Sequence, residues 1–201
     1  MKQSELMRWG GFVGMLGAVI LIIGAIIHPP VEDPTTIVTQ NWVWAHILMG
    51  KSILLGLIGL VVIYLKMAEK AGKLGLLGFL LAFAGMTGFM FIVYFAAMVE
   101  PALAKEAPAL LDPNGALLQG LLGIFFLVTI LSFVLGFLLF GIAVWQTNKI
   151  KWFGAALVLG SFPFLYYLVD TTKPELIYNI VLIILAVGLF GLNRQVWSTK
   201  S

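Results

Sequence analysis

The sequence predicts an all-α integral membrane protein: one domain over residues 1–201, built on six transmembrane helices. Three observations carry this. The chain is 61% hydrophobic and only 10% charged, with a mean hydropathy of +1.06, whereas a soluble domain carries roughly 25% charged residues. The charges cluster between long uncharged runs, the pattern of a multispan protein. The lysines and arginines fall almost wholly on alternate connections. A transmembrane β-barrel would need alternating segments of about 10 residues. These runs are continuously apolar, so helices are expected.

The spans read, in order, as Trp9–Ile27, Trp42–Leu65, Leu74–Val99, Leu117–Trp145, Trp152–Val169 and Leu176–Leu192. Each is near or above the roughly 20 residues that a helix needs to cross the hydrocarbon. The first is read as a retained helix. It runs through Ile26 and Ile27 into His28, Pro29 and Pro30 without the small residues of a signal-peptidase site. The segment from Glu100, "EPALAKEAPALLDPNG", contains three prolines and cannot form one continuous helix. Its alanines and leucines between charges predict a short interfacial helix over the mouth of a pocket, or an ordered spacer.

Orientation follows from the basic residues. Six spans gather Lys2, Arg8, Lys66, Lys70, Lys73, Lys149, Lys151, Arg194 and Lys200 on one side. Lys105 and Lys173 stand on the other, and Lys51 lies inside the second span. The positive-inside rule makes the first side cytoplasmic, with both the N- and C-terminal ends there, in the cell membrane. The net charge of +3 is thus a topology marker and does not indicate nucleic-acid binding. Trp9, Trp145, Trp152 and Trp197 near the inner interface, and Trp42 and Trp44 near the outer one, are expected to form aromatic belts.

A weak internal repeat is visible. Outward helices begin "RWGGFVGMLG" at Arg8, "KLGLLGFLLAFAG" at Lys73 and "KWFGAALVLG" at Lys151. Inward helices end "GLIGLVVIYLK", "GFLLFGIAVWQ" and "GLFGLNRQVW". Three repeated helical hairpins about an axis along the membrane normal would give this text, and so would convergence of glycine-rich helices. Gly10 and Gly14 form a GxxxG. Further pairs three apart, such as Gly14/Gly17, Gly56/Gly59, Gly85/Gly88 and Gly188/Gly191, predict close helix packing within the bundle or at a homo-oligomer seam.

The polar residues of the spans gather in the outer half: His28, His46, Lys51, Tyr94, Glu100, Gln119, Tyr166, Tyr167, Asp170, Tyr178 and Asn179. Ionisable groups at such depth face a bundle interior or a watery cavity. The expected ligand site is therefore an outward-opening pocket drawn from His46, Lys51, Glu100, Asp170, Tyr94, Gln119 and Asn179. Lys51 is expected to reach water by snorkelling or to pair with Glu100 or Asp170. On an ideal helix Lys51 points about 140° away from His46, so the two cannot share a face.

Several chemistries are excluded. There is no cysteine, and hence no disulfide, thiolate site or cysteine nucleophile. HExxH, GxxxxGK[ST] and GxSxG are absent, and no catalytic residues are assigned. Three function classes remain. The first is binding or passage of a small polar or anionic ligand, or a lipid, through the outer cavity. The second is a b-type haem electron carrier with His28 and His46 as axial ligands. The third is a structural or accessory subunit with a membrane partner. The visible spectrum separates the second, and co-purification the third.

Overall fold

The computed structural model describes residues 2–112, 114–115, 117–148, 150–162, 164–165 and 175–198, with the side chains of Glu175 and Leu176 excepted. Among them the secondary structure is wholly helical: α1 Gln3–Ile27, α2 Pro34–Ile37, α3 Gln40–Met98, α4 Glu100–Glu106, a 3₁₀ turn Pro108–Leu111, α5 Leu121–Thr147, α6 Trp152–Ser161 and α7 Glu175–Trp197. Four of these, α1, α3, α5 and α7, are long and apolar enough to cross a membrane.

The 59-residue α3 is not one rod. Gly72 has φ +57° and ψ −155°, a conformation open essentially to glycine alone, and the helix folds back there. The two arms, 40–71 and 73–98, lie antiparallel. Tyr64 stacks on Phe79 near the fold, and Trp42 donates its indole N–H to the carbonyl of Ala96 at the far end. Between them, Gly56 faces Met86.

Glycine seams join the helical arms into a ring. Gly10, Gly17 and Gly24 of α1 meet Val62, Gly56 and Met49 of the first arm of α3. Gly78, Gly85 and Gly88 of the second arm meet Phe140, Phe133 and Thr129 of α5. Gly141 meets Gly154 and Val158 of α6, Gly160 of α6 meets Leu185 of α7, and Gly188 of α7 meets Ala156 of α6. Gly11 and Gly14 then meet Asn193 and Trp197 of α7 and close the circle. Every neighbouring pair runs antiparallel. These glycines act by absence: a methyl at Gly85 would lie 2.4 Å from the backbone of Phe133, and one at Gly136 would lie 2.1 Å from that of Ala82. Apolar helices have no hydrophobic drive toward one another in lipid, so dispersion across such close approaches holds them. The pairings lie within the chain, the simpler of the two uses expected for the glycines.

Polar groups fasten the end that bears the lysines. Asn148 and Gln195 exchange amide hydrogen bonds between α5 and α7, at 2.9 and 3.4 Å. Lys66 donates to the carbonyl of Gln195, and Lys151 to the last carbonyls of α5. In that half the ring is filled by Leu60, Phe137, Phe140, Val144 and Leu157. The other half holds the site.

Two spans fall well short of an expected bound. The fourth span was expected to open at Leu117, but α5 begins at Leu121, because Gly120 adopts extended backbone and Leu117–Gln119 form a turn. The fifth reaches only Ser161 as a regular helix within the described residues. The short helix expected after Glu100 is present as α4.

Candidate functional site

The connection between α1 and α3 builds the site. His28 ends α1, its N–H still bonded to the carbonyl of Gly24 at 3.1 Å, and Pro29 and Pro30 then forbid further helix. Asp33 caps the single turn α2, accepting from the N–H groups of Thr35 and Thr36 at 2.8 and 2.9 Å. The Thr35 hydroxyl, donating to the same carboxylate at 2.6 Å, and then these backbone bonds hold its carboxyl below the usual carboxylate value. Thr39 caps α3 in turn by accepting from the N–H of Trp42. The caps fix the register at which Trp42 and His46, one helical turn apart, meet His28.

The three rings form one cluster of tilted pairs, with interplanar angles of 42°, 49° and 59°. Trp42 and His46 have centroids 4.2 Å apart, His28 and His46 4.9 Å, and His28 and Trp42 5.2 Å. Trp42 is 2% exposed and His46 8%. The expectation that Trp42 sits in the outer aromatic belt is therefore corrected: its indole faces inward and is tied to Ala96. The other five tryptophans, Trp9, Trp44, Trp145, Trp152 and Trp197, are exposed on the bundle surface. The clue to Trp42 was its spacing of four from His46, which puts both on one helix face.

Each histidine has one nitrogen committed. Nδ1 of His28 lies 2.8 Å from the carbonyl oxygen of Pro29, and Nδ1 of His46 lies 2.9 Å from that of Trp42. A carbonyl only accepts, so Nδ1 carries the proton in both rings, and in the neutral form Nε2 presents a lone pair. Neither Nε2 has a hydrogen-bond partner among the described residues. Burial pushes the His28 imidazole below the ordinary histidine value, against the pull of the Pro29 carbonyl and the nearby Glu32. Asn179 of α7 donates to the backbone carbonyl of His28 at 3.4 Å and ties this corner to the far side of the ring.

Both imidazoles line a central cavity of about 1050 Å³. Its mouth carries Glu32, Asp33, Glu100, Asp112 and Gln119. Its walls are apolar, among them Leu21, Ile53, Met86, Phe89, Phe133 and Leu182, and its floor reaches Leu189 and Asn193. From the level of His28 to that of Gly14 it runs roughly 20 Å along α1. A second, shallower hollow of about 720 Å³ lies on the outside of the ring between Ile26, Thr39 and Trp44, and His28 borders both.

The structure brings together some of the expected site residues and not others. His46, Glu100, Gln119 and Asn179 line the cavity, and Tyr178 joins them, buried. Lys51 does not. It is exposed on the outer stripe of α3 with Trp44, Leu54 and Ile58, the consequence of its angular offset from His46. Tyr94 is spent on packing, its ring pressed against Gly50. Asp170, with Tyr166 and Tyr167, lies outside the described residues. Sequence reading missed Asn193, a buried amide wedged against Gly14 and Gly59.

The histidine rings lie in contact, their centroids 4.9 Å apart. Among the described residues no three histidines or acids converge as metal ligands. Comparison of the chain with protein-family models, with curated proteins and with solved structures found no match, so no activity is carried over from a relative.

Proposed function

We propose that this chain is a six-span protein of the cell membrane, its three helical hairpins closed into a ring with both ends cytoplasmic, that binds a small amphiphile in a cavity open to the outer face. The cavity carries the reading. Ligand sites are concave, largely apolar and furnished with a few fixed polar groups, at about 300–1,000 Å³, and this one is of that size with its polar groups at one end. Those groups suit a head, and the deeper walls suit a tail. The two arms of α3 supply two of the six spans, since each is long enough to cross. The lysines at the opposite end from the mouth support this orientation. Because the walls are apolar and Lys51 faces outward, a lipid-like ligand fits better than the small anion considered from sequence.

Filling the cavity tests this. Leu182 is half-buried on its wall. In Leu182→Trp the bundle should stay folded, while binding of a long-chain amphiphile to the purified protein is lost. Unchanged binding would reject the cavity as the site.

A haem carrier requires a different outcome. The purified protein is expected to show no Soret band that shifts on reduction, since the rings contact each other directly. A stoichiometric band abolished by His46→Ala would replace the amphiphile reading. An accessory role would instead be supported by a stoichiometric membrane partner on gentle extraction, seated on the exposed ring face.

A further inference from the structure

We infer that the ligand's head is a neutral hydrogen-bond donor, a hydroxyl, received by Nε2 of His46 with His28 beside it. The inference rests on the reading of the cavity as an amphiphile site and names the chemistry that site selects.

His46 is more than nine-tenths buried, lines the central cavity and does not border the outer hollow. Its Nδ1–H is held by the Trp42 carbonyl, and its Nε2 is without a partner among the described residues. A polar atom that a bound ligand shuts off from water and leaves unpaired costs about 1–3 kcal/mol. A ligand that satisfies it avoids that cost, and one that cannot incurs it. The ring does not change role freely: turning over would surrender the bond to the Trp42 carbonyl. The Nδ1–H of His28 is likewise held, by the Pro29 carbonyl. Two neutral imidazoles so pinned can accept and cannot donate into the cavity.

This selects against the other common heads. A carboxylate or phosphate would set its own lone pairs against those of the imidazoles, and would pass Glu32, Asp33, Glu100 and Asp112 at the mouth. An ether or ester oxygen has nothing to donate. An ammonium can donate, but would carry a full charge into a largely apolar site and lose its hydration. An alcohol or phenol on an apolar body meets every condition.

The test uses the full chain purified in detergent, with displacement of tritiated hexadecanol as the readout and three unlabelled competitors. These are hexadecanol, its methyl ether, which keeps the oxygen and loses the O–H, and palmitate. Hexadecanol is expected to compete at least ten-fold better than either of the others. In His46→Phe, which keeps a flat ring without the acceptor, the preference over the ether should fall towards unity while ether binding is retained. Should that variant fail to fold, the wild-type ratios decide alone. Equal competition by all three overturns the hydroxyl head and leaves the cavity reading standing. Absence of any saturable hexadecanol binding removes both. A His46→Phe protein that still prefers the alcohol ten-fold assigns the head elsewhere and overturns the inference.

Discussion

At His28, burial works against protonation, and the consequence is measurable. The folded protein takes up that proton less readily than the unfolded chain, whose histidine titrates near 6.5. The stability this group confers is therefore fully present above that value and is lost as pH falls below it. Thermal denaturation from about pH 8 to about pH 5 should show a fall in Tm that is shallower in His28→Gln. At Trp42 the test is a deletion. Trp42→Phe keeps an aromatic ring but leaves the Ala96 carbonyl without its donor, and should cost about 1–3 kcal/mol in unfolding free energy. Much of this corner was legible from sequence: the two histidines, the prolines between them, and Glu100, Gln119 and Asn179 near the same level. The direction of Lys51 was half legible, since its angle from His46 is fixed by helix geometry. Which of the two faces the interior depends on what packs there, and a single uniformly apolar helix carries no amphipathic stripe to say so. Trp42 was misassigned for a related reason. An indole at a span end satisfies the interface or a buried carbonyl equally well, and only its neighbour decides.

Among the elements, α3 gives the sharpest contrast. Gly72 has no atom within 4 Å of where a Cβ would stand, so substitution there is resisted by backbone conformation alone. Gly72→Ala should cost about 1–3 kcal/mol, and asparagine, which tolerates the left-handed helical region but not this one, should offer no relief. The seams behave differently. Gly85→Ala drives a methyl into the backbone of Phe133 and should cost about 1–3 kcal/mol or more. At Gly56 the nearest atom is the terminal methyl of Met86, at 3.1 Å. That flexible end can move, and alanine gains about 1 kcal/mol of helix propensity, so Gly56→Ala should be neutral within error. Denaturation of the two variants side by side checks the distinction. Sequence placed the long helices well because hydrocarbon thickness imposes their length. It placed the start of α5 less well, since Leu117 and Leu118 are as apolar as the helix they precede and only the backbone of Gly120 marks the boundary.

For the molecule as a whole, reporters fused after Thr39 and after Ala109 should read as external, and one placed at Gly72 as cytoplasmic. A cytoplasmic signal at Thr39 or Ala109 would contradict the six-span arrangement. The sequence held the ingredients of the ring, namely alternating basic connections and glycines at helical spacing, but not its closure. Periodicity says that a face is small, and not which of five other helices it meets. The contact of α7 with α1 joins residues almost the whole chain apart, such as Gly11 and Asn193, and no local pattern records it.

That closure gives the chain a history as well as a shape. Helices enter a membrane in the order in which they are made, and in the proposed six-span arrangement each from the second onward can find a partner in the helix just before it. Only the last must find the first. Until it arrives the assembly is a crescent, with Gly11 and Gly14 facing lipid and the future cavity open along its whole side. If the proposed cavity binds an amphiphile, that open side would offer a newly made chain a lateral entrance that the finished ring no longer has. A chain stopped after residue 165 should be permanently in that state, and pulse-chase labelling should show it cleared faster than the full-length protein.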